Sequence, residues 1–318
     1  CMTAISASAP GKIILFGEHA VVYGRPAIAV PINQVRAKAI IIPQPRMPSG
    51  SIIIQAPNIG IEANLSELPP ENPLVAAIQE VLKELDISRP PALILRITST
   101  IPLAAGLGSG AAVSAAIIRS LSTFLGQPLP NDRVSNLVFE VEKIHHGTPS
   151  GIDNTVITYA MPVFFIRDDL VGNTIETFRV AQPFTIVIAD TGISSPTSTT
   201  VGDVHDAWEK KRDYYEQLFD EVGEVVLAAR FAIENSQIEQ LGTLMNKNHS
   251  LLREIGVSSL ELDHLVRTAR NEGALGAKLS GGGRGGNIIV LAHNTTADHI
   301  VECLKLAGAV QTFIAVIK

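Results

Sequence analysis

The chain has 318 residues, 46% of them hydrophobic and 18% charged, a size that suggests two domains and a composition that excludes a disordered chain. Twenty-five Lys and Arg stand against 31 Asp and Glu, a formal charge of −6 with no block of five like charges, so neither a nucleic acid nor an anionic membrane surface is the expected main partner. Two cysteines, Cys1 and Cys303, provide no disulfide framework and point to a reducing cytoplasm. Cys1 precedes Met2, which reads as the natural start, with no targeting peptide. No uninterrupted apolar run approaches the ~20 residues of a membrane span.

Along the first half, "KIILFG", "AIAVPI", "RAKAIIIP", "SIIIQAP" and "ALILRITS" are short, rich in Ile and Val, and bounded by Gly, Pro or Asn, which predicts strands. Asn72 and Pro73 open "NPLVAAIQEVLKELD", whose apolar residues recur at helical spacing. "SGAAVSAAIIRSLSTFLG" predicts a second helix with small side chains in its first two turns. "NDRVSNLVFEVEKIHHG" predicts a third, ending near Gly147, and "GIDNTVITYAMPVFFI" reads as strand. The pattern loosens over 170–183, which sets a boundary between domains 1–182 and 183–318. Beyond it come strand "FTIVIAD", long helices over about 204–235 and 237–255, and a helix at "SSLELDHLVRTARNEG". The chain closes with strand "AKLS", loop "GGGRGG", strand "NIIVLAH", helix "TADHIVECLKLAG" and strand "VQTFIAVI". Strands and helices mix without strict alternation, which predicts an α+β class.

The stretch "GLGSGAA" (106–112) offers successive backbone N–H groups followed by a helix start, a concavity of positive potential suited to phosphate. "GLGSGA" also fits a G-x-G-x-x-A dinucleotide pattern. That reading needs a second strand ending in an acid about 20 residues on, where this chain has "GQPLPNDRVSNL". A Walker loop needs a lysine after the glycines, and none is there. A strand-to-helix turn without ligand is the plain alternative. Three other stretches weigh against it. "APGKIILFGEHAVVYG" holds Lys12, Glu18 and His19. "EKIHHGTPSGIDN" holds Glu142, His145, His146 and Asp153. Residues 281–286 contain five glycines, each costly to order, which points to close approach of a ligand to backbone.

In their order, "PGKIILFGEHAVVYG", "PLAAGLGSGAA", "HHGTPSGIDN" and "KLSGGGRGG" resemble the GHMP small-molecule kinases, from about Ala9 to the C-terminus. Within the family, "GEHAVVYG", "HGTPSGIDN", "DTGISSPT" and "LMNKNHSLLREIGVSSLELDHLV" are most similar to the members that act on mevalonate. The resemblance implies a two-domain α+β fold, with mixed sheets packed with helices and the ATP site in the cleft between domains. It implies ATP and Mg²⁺ as cofactors and transfer of the γ-phosphoryl group to the 5-hydroxyl of mevalonate, a step of isoprenoid precursor synthesis. A homodimer remains open.

The resemblance places the nucleotide phosphates on the turn from Gly106 to Ala111 and makes Pro102, Ala105, Gly106, Leu107, Gly108, Ser109, Gly110 and Ala111 the ATP-binding residues. It makes Asp153 the catalytic carboxylate, Lys12 its cationic neighbour and Glu142 a Mg²⁺ ligand, with Ser109 as helper. Alone, Lys12 and Asp153 would read as a half-buried salt bridge and Glu142 as a solvated helix position; within these motifs they read as catalytic. Glu18, His19, Thr197, Gly282 and Gly283 are candidate acceptor contacts, with Ser198 beside Thr197. His145 and His146 lack a third metal ligand at suitable spacing and read as packing and hydrogen-bonding residues. Two positions depart from the family pattern: Gly110 stands where many members have a second serine, and Arg284 interrupts the C-terminal glycine run. Arg284 is equally a clamp on polyphosphate or a solvent-facing arginine. A kinase for phosphomevalonate or another small alcohol, and a silent ligand sensor on the same fold, are the competing readings.

Overall fold

A computed structural model describes residues 4–102, 106–146, 149–168, 170 and 172–318; of His145 and His146 it describes the backbone. The chain packs as two compact units, residues 1–12 with 35–160 and residues 13–34 with 161–318. The units therefore exchange chain inside the first two strands, where the sequence boundary at 182/183 has a single crossing.

In the first unit, β1 (Ile5–Phe16) begins the chain and pairs with β2 (Pro26–Pro43). β2 is one 18-residue strand in which "AIAVPI" and "RAKAIIIP" run together. β3 (Ile52–Ala56), β4 (Ile61–Asn64) and β5 (Leu93–Ser99) complete the order β4-β3-β5-β2, with α1 (Pro73–Glu84) between β4 and β5. Ile54 pairs with Leu95 in parallel and Ile41 with Leu95 antiparallel, which stacks aliphatic residues across three strands. α1 starts as predicted: the Asn72 side chain accepts the Leu74 N–H at 2.9 Å and Pro73 occupies the first turn.

α2 (Ser109–Phe124), α3 (Asn131–His146) and α4 (Ile152–Tyr159) pack on one another and, through α2, on β5. Ala111, Ala112, Ser114, Ala115 and Ala116 are buried, so α2 approaches its neighbours with almost no side-chain bulk in its first two turns. α4 is the main departure from the sequence reading, since "IDNTVITY" forms helix where its β-branched residues suggested strand. Gly151 (φ 89°) turns the chain into it, the Thr155 hydroxyl donates to Gly151 O at 2.7 Å, and buried Asn154 donates to the Ser135 hydroxyl of α3 at 2.9 Å. These contacts override local preference.

In the second unit the N-terminal half of β2 pairs with β6 (Val163–Ile166), and β6 with β7 (Thr174–Thr177). A separate four-stranded antiparallel sheet is built from β8 (Phe184–Asp190), β9 (Gly276–Ser280), β10 (Asn287–Ala292) and β11 (Gln311–Ile317), in the order β11-β8-β10-β9. Its central strands β8 and β10 are buried almost throughout, with Ile188 opposite Ile289 and Phe313. α5 (Thr197–Lys210), α6 (Arg212–Glu234), α7 (Ile238–Ile255), α8 (Leu260–Asn271) and α9 (Ala297–Leu306) complete the unit, α7 and α8 resting on β9 and α9 on β8 and β11. Among the described residues, no helix is long and apolar enough to cross a membrane.

Candidate active site

In the first unit the glycine turn feeds α2. Gly106 (φ 67°) and Gly108 (φ 71°) lie in the left-handed region, and Gly108 caps the helix. The first helical bond runs from Ala112 N–H to Gly108 O at 3.0 Å, so the N–H groups of Ser109, Gly110 and Ala111 stand ahead of the ladder at the positive end of a 16-residue helix. Leu107 is buried and its carbonyl accepts the Lys12 N–H at 3.0 Å, fastening the turn to β1. A Cβ on Gly108 would sit 2.8 Å from Ile157 Cδ1 and 2.9 Å from Lys12 Cγ, so the glycine makes room for the lysine. Gly110 differs: its φ is not positive and a Cβ there would meet nothing within 4 Å. Pro102 is half-buried just before the turn, and Ala105 lies outside the described residues.

Lys12 is 8% exposed, and its Nζ lies 3.0 Å from Asp153 Oδ1 in the first turn of α4. Glu142, half-buried near the end of α3, feels both groups. Its carboxyl is pushed up to about 8, chiefly by burial, then by the Asp153 carboxylate, with Lys12 opposing. Ionising Glu142 would set two carboxylates against one lysine, and its proton is held accordingly. Gly147 and the side chains of His145 and His146 lie outside the described residues.

In the second unit Glu18 and Lys278 form a buried pair. Lys278 on β9 is fully buried, and its Nζ donates to Glu18 Oε1 at 2.5 Å and to Leu279 O at 2.6 Å. Burial pushes the Glu18 carboxyl up and the Lys278 ammonium down, each opposed by the partner. Glu18 Oε2 is buried without a hydrogen-bond partner among the described residues. His19, at φ 62°, is 5% exposed and donates from Nε2 to Gly282 O at 2.9 Å; burial lowers its pKa, so the ring is neutral at physiological pH.

The second glycine loop owes much of its composition to its own packing. Gly281, Gly283, Gly285 and Gly286 all have positive φ, and a Cβ on Gly282 would lie 2.7 Å from the Thr197 hydroxyl oxygen. The Gly286 carbonyl accepts from the Thr191 backbone and hydroxyl at 2.9 and 3.0 Å. Arg284 is tied inside its own unit: its guanidinium pairs with Asp203 of α5, and its backbone N–H donates to Val257 O at 2.7 Å. Thr197 opens α5 against Gly282, while Ser198 follows on the exposed side.

The structure thus assembles Lys12, Asp153, Glu142 and the first glycine turn in one unit, and Glu18, His19, Thr197 and Gly282 in the other. Sequence reasoning passed over Lys278 and Asp203. A lysine amid the buried strand residues of "GAKLS" is the signal that could have found the first; Asp203, in an ordinary helix, carries none.

The GHMP kinase N-terminal domain model matches residues 72–161, and the GHMP kinase C-terminal model matches residues 229–310. A mevalonate kinase from Pyrococcus furiosus is 34% identical over 96% of this chain and 93% of its own length. The chain belongs to the GHMP kinase family. Among solved structures, this GHMP kinase is similar to L. major mevalonate kinase in complex with R-mevalonate, with a TM-score of 0.85, 32% identity and coverage of 98% of this chain and 95% of that one. It is also similar to Methanococcus jannaschii mevalonate kinase, with a TM-score of 0.86, 26% identity and coverage of 99% of both.

Proposed function

We propose that this GHMP kinase transfers the γ-phosphoryl group of ATP to the 5-hydroxyl of mevalonate, giving 5-phosphomevalonate and ADP. The observation that carries the reading is the 3.0 Å Lys12–Asp153 contact, held beside the phosphate turn by the bond from Lys12 N–H to Leu107 O. The 34% identity to a mevalonate kinase over nearly the whole chain supports mevalonate as the acceptor. The two family models, one on each side of the 182/183 boundary, support N- and C-terminal kinase domains at 1–182 and 183–318. The acidic balance and scarcity of cysteine support a cytoplasmic enzyme without nucleic-acid or membrane partners.

The phosphates of ATP rest on the N–H groups at the start of α2, where the helix dipole favours negative charge. Asp153 accepts the proton of the acceptor hydroxyl as its oxygen bonds to the γ-phosphorus; the bond from that phosphorus to the β,γ-bridging oxygen breaks, and ADP leaves. Lys12 offsets the negative charge of the group in transit. Glu142 and Ser109 are the residues that would hold Mg²⁺, and the crowding of Glu142 with Asp153 around one lysine suits an added cation. When bound, Mg²⁺ supplies neutralisation of the polyphosphate charge. Glu18, whose Oε2 has no hydrogen-bond partner among the described residues, His19, Thr197 and the backbone of Gly282 and Gly283 are the acceptor contacts of this reading.

A coupled ADP-release assay over mevalonate, phosphomevalonate, homoserine and galactose tests the reading. Turnover confined to mevalonate is the expected result. Preference for phosphomevalonate, homoserine or galactose, or no turnover of any, would refute it.

A further inference from the structure

On α9, His299 and Cys303 stand four residues apart and so share one helix face, and Glu272 at the C-terminal end of α8 reaches them. Glu272 Oε2 lies 2.8 Å from His299 Nε2, and Cys303 Sγ lies 3.7 Å from the same nitrogen. One ligand atom from each of the three falls within 4.8 Å of the others. None of these residues belongs to the kinase machinery described above.

We propose that Glu272, His299 and Cys303 form a surface binding site for one Zn²⁺ ion, with the fourth position open to water. Thiolate sulfur, imidazole nitrogen and carboxylate oxygen are the three donor types zinc takes. Bond lengths of about 2.0–2.3 Å in a tetrahedral site set ligand atoms roughly 3.4–3.6 Å apart. The sulfur–nitrogen separation of 3.7 Å lies just above that range, and the sulfur–oxygen pair, within 4.8 Å, has to close on the ion. The nitrogen–oxygen pair must open by roughly half an ångström, a small rotation for side chains 62% and 38% exposed. On binding, the Cys303 thiol proton leaves to solvent, and His299 carries its ring proton on Nδ1 so that Nε2 offers its lone pair. The thiolate sets this site apart from Mg²⁺, which takes oxygen ligands. A bound ion would tie the end of α8 to α9.

The test uses the full chain with Cys1→Ser, which leaves Cys303 as its one cysteine, and Co²⁺ as a spectroscopic probe for Zn²⁺. The expected result is a thiolate-to-cobalt charge-transfer band with the strong visible bands of four-coordinate Co²⁺. These should saturate at one equivalent, survive excess Mg²⁺ and vanish on adding one equivalent of Zn²⁺. Cys303→Ser should abolish the charge-transfer band. His299→Ala and Glu272→Gln should weaken binding at least tenfold, since even changes outside the ligand shell cost about 10- to 100-fold. Far-ultraviolet circular dichroism verifies that each variant is folded. No thiolate band at one equivalent, or a band of unchanged affinity in His299→Ala, would overturn the proposal. The readout is metal binding, so its outcome is separate from that of the kinase reading.

Discussion

Lys12 serves two partners at once: its ammonium meets Asp153 at 3.0 Å and its backbone N–H holds the carbonyl of Leu107 in the first glycine turn. A change of side chain at Lys12 leaves the backbone bond in place and removes only the charge. Lys12→Met is therefore expected to lower kcat by more than it raises KM for either substrate, because the charge matters most during transfer. Steady-state kinetics with both substrates varied checks this; a pure KM effect would make Lys12 a binding residue.

The two turn glycines should respond in opposite ways. Gly110→Ser meets open space in the first turn of α2 at a φ that is not positive, so its thermal midpoint should be at or above that of wild type. If its hydroxyl supplements Glu142, the Mg²⁺ concentration for half-maximal rate also falls. Gly108→Ala puts a methyl at φ 71° against Lys12 and Ile157, so kcat should collapse. Thermal unfolding and Mg²⁺ titrations of both variants supply the comparison.

The strands were legible because Ile- and Val-rich runs end at Gly, Pro or Asn, and α1 because Asn72 and Pro73 mark its start. α4 was not, since its helicity rests on Asn154 reaching Ser135 and on the turn at Gly151. Motif order singles out the first glycine turn, Lys12, Glu142 and Asp153 as candidates, and the structure places them in one unit. What motif order could not convey was the Lys278–Glu18 pair, whose members are 260 positions apart, or that Thr197 crowds position 282 and a positive φ of 70° calls for glycine at 286.

Glu142 links stability to pH. Its folded pKa of about 8 lies above the ordinary 4.5, so the folded chain keeps a proton that the unfolded chain sheds. The sign follows: stability from this group is present below 4.5 and is lost as pH rises through about 8. Glu142→Gln cannot lose that proton, so its denaturation midpoint should gain on wild type as pH climbs through this window. If Glu142 holds Mg²⁺ as proposed, the ion must displace the same proton, so the half-maximal Mg²⁺ concentration in wild type should fall toward pH 8 and change little in the variant. Parallel midpoint curves for the two proteins would contradict the assignment.

The Glu18–Lys278 pair should be costly to break from one side. Lys278→Met leaves a buried carboxyl alone, and such losses run to about 3–5 kcal/mol. Adding Glu18→Leu to that variant should recover part of the loss. Urea unfolding of the single and double variants measures it, and a loss under about 1 kcal/mol would show that the pair is not held as described.

In the proposed transfer, Asp153 takes the acceptor proton beside Lys12. The most direct test of this step is a single-turnover measurement of γ-phosphoryl transfer to mevalonate in wild type and Asp153→Asn, with ATP affinity measured alongside. The amide keeps the shape but not the basicity, so transfer should slow by about 10²- to 10⁴-fold while ATP affinity stays within a few-fold. Transfer in Asp153→Asn above about a tenth of the wild-type rate would remove Asp153 from the role of base.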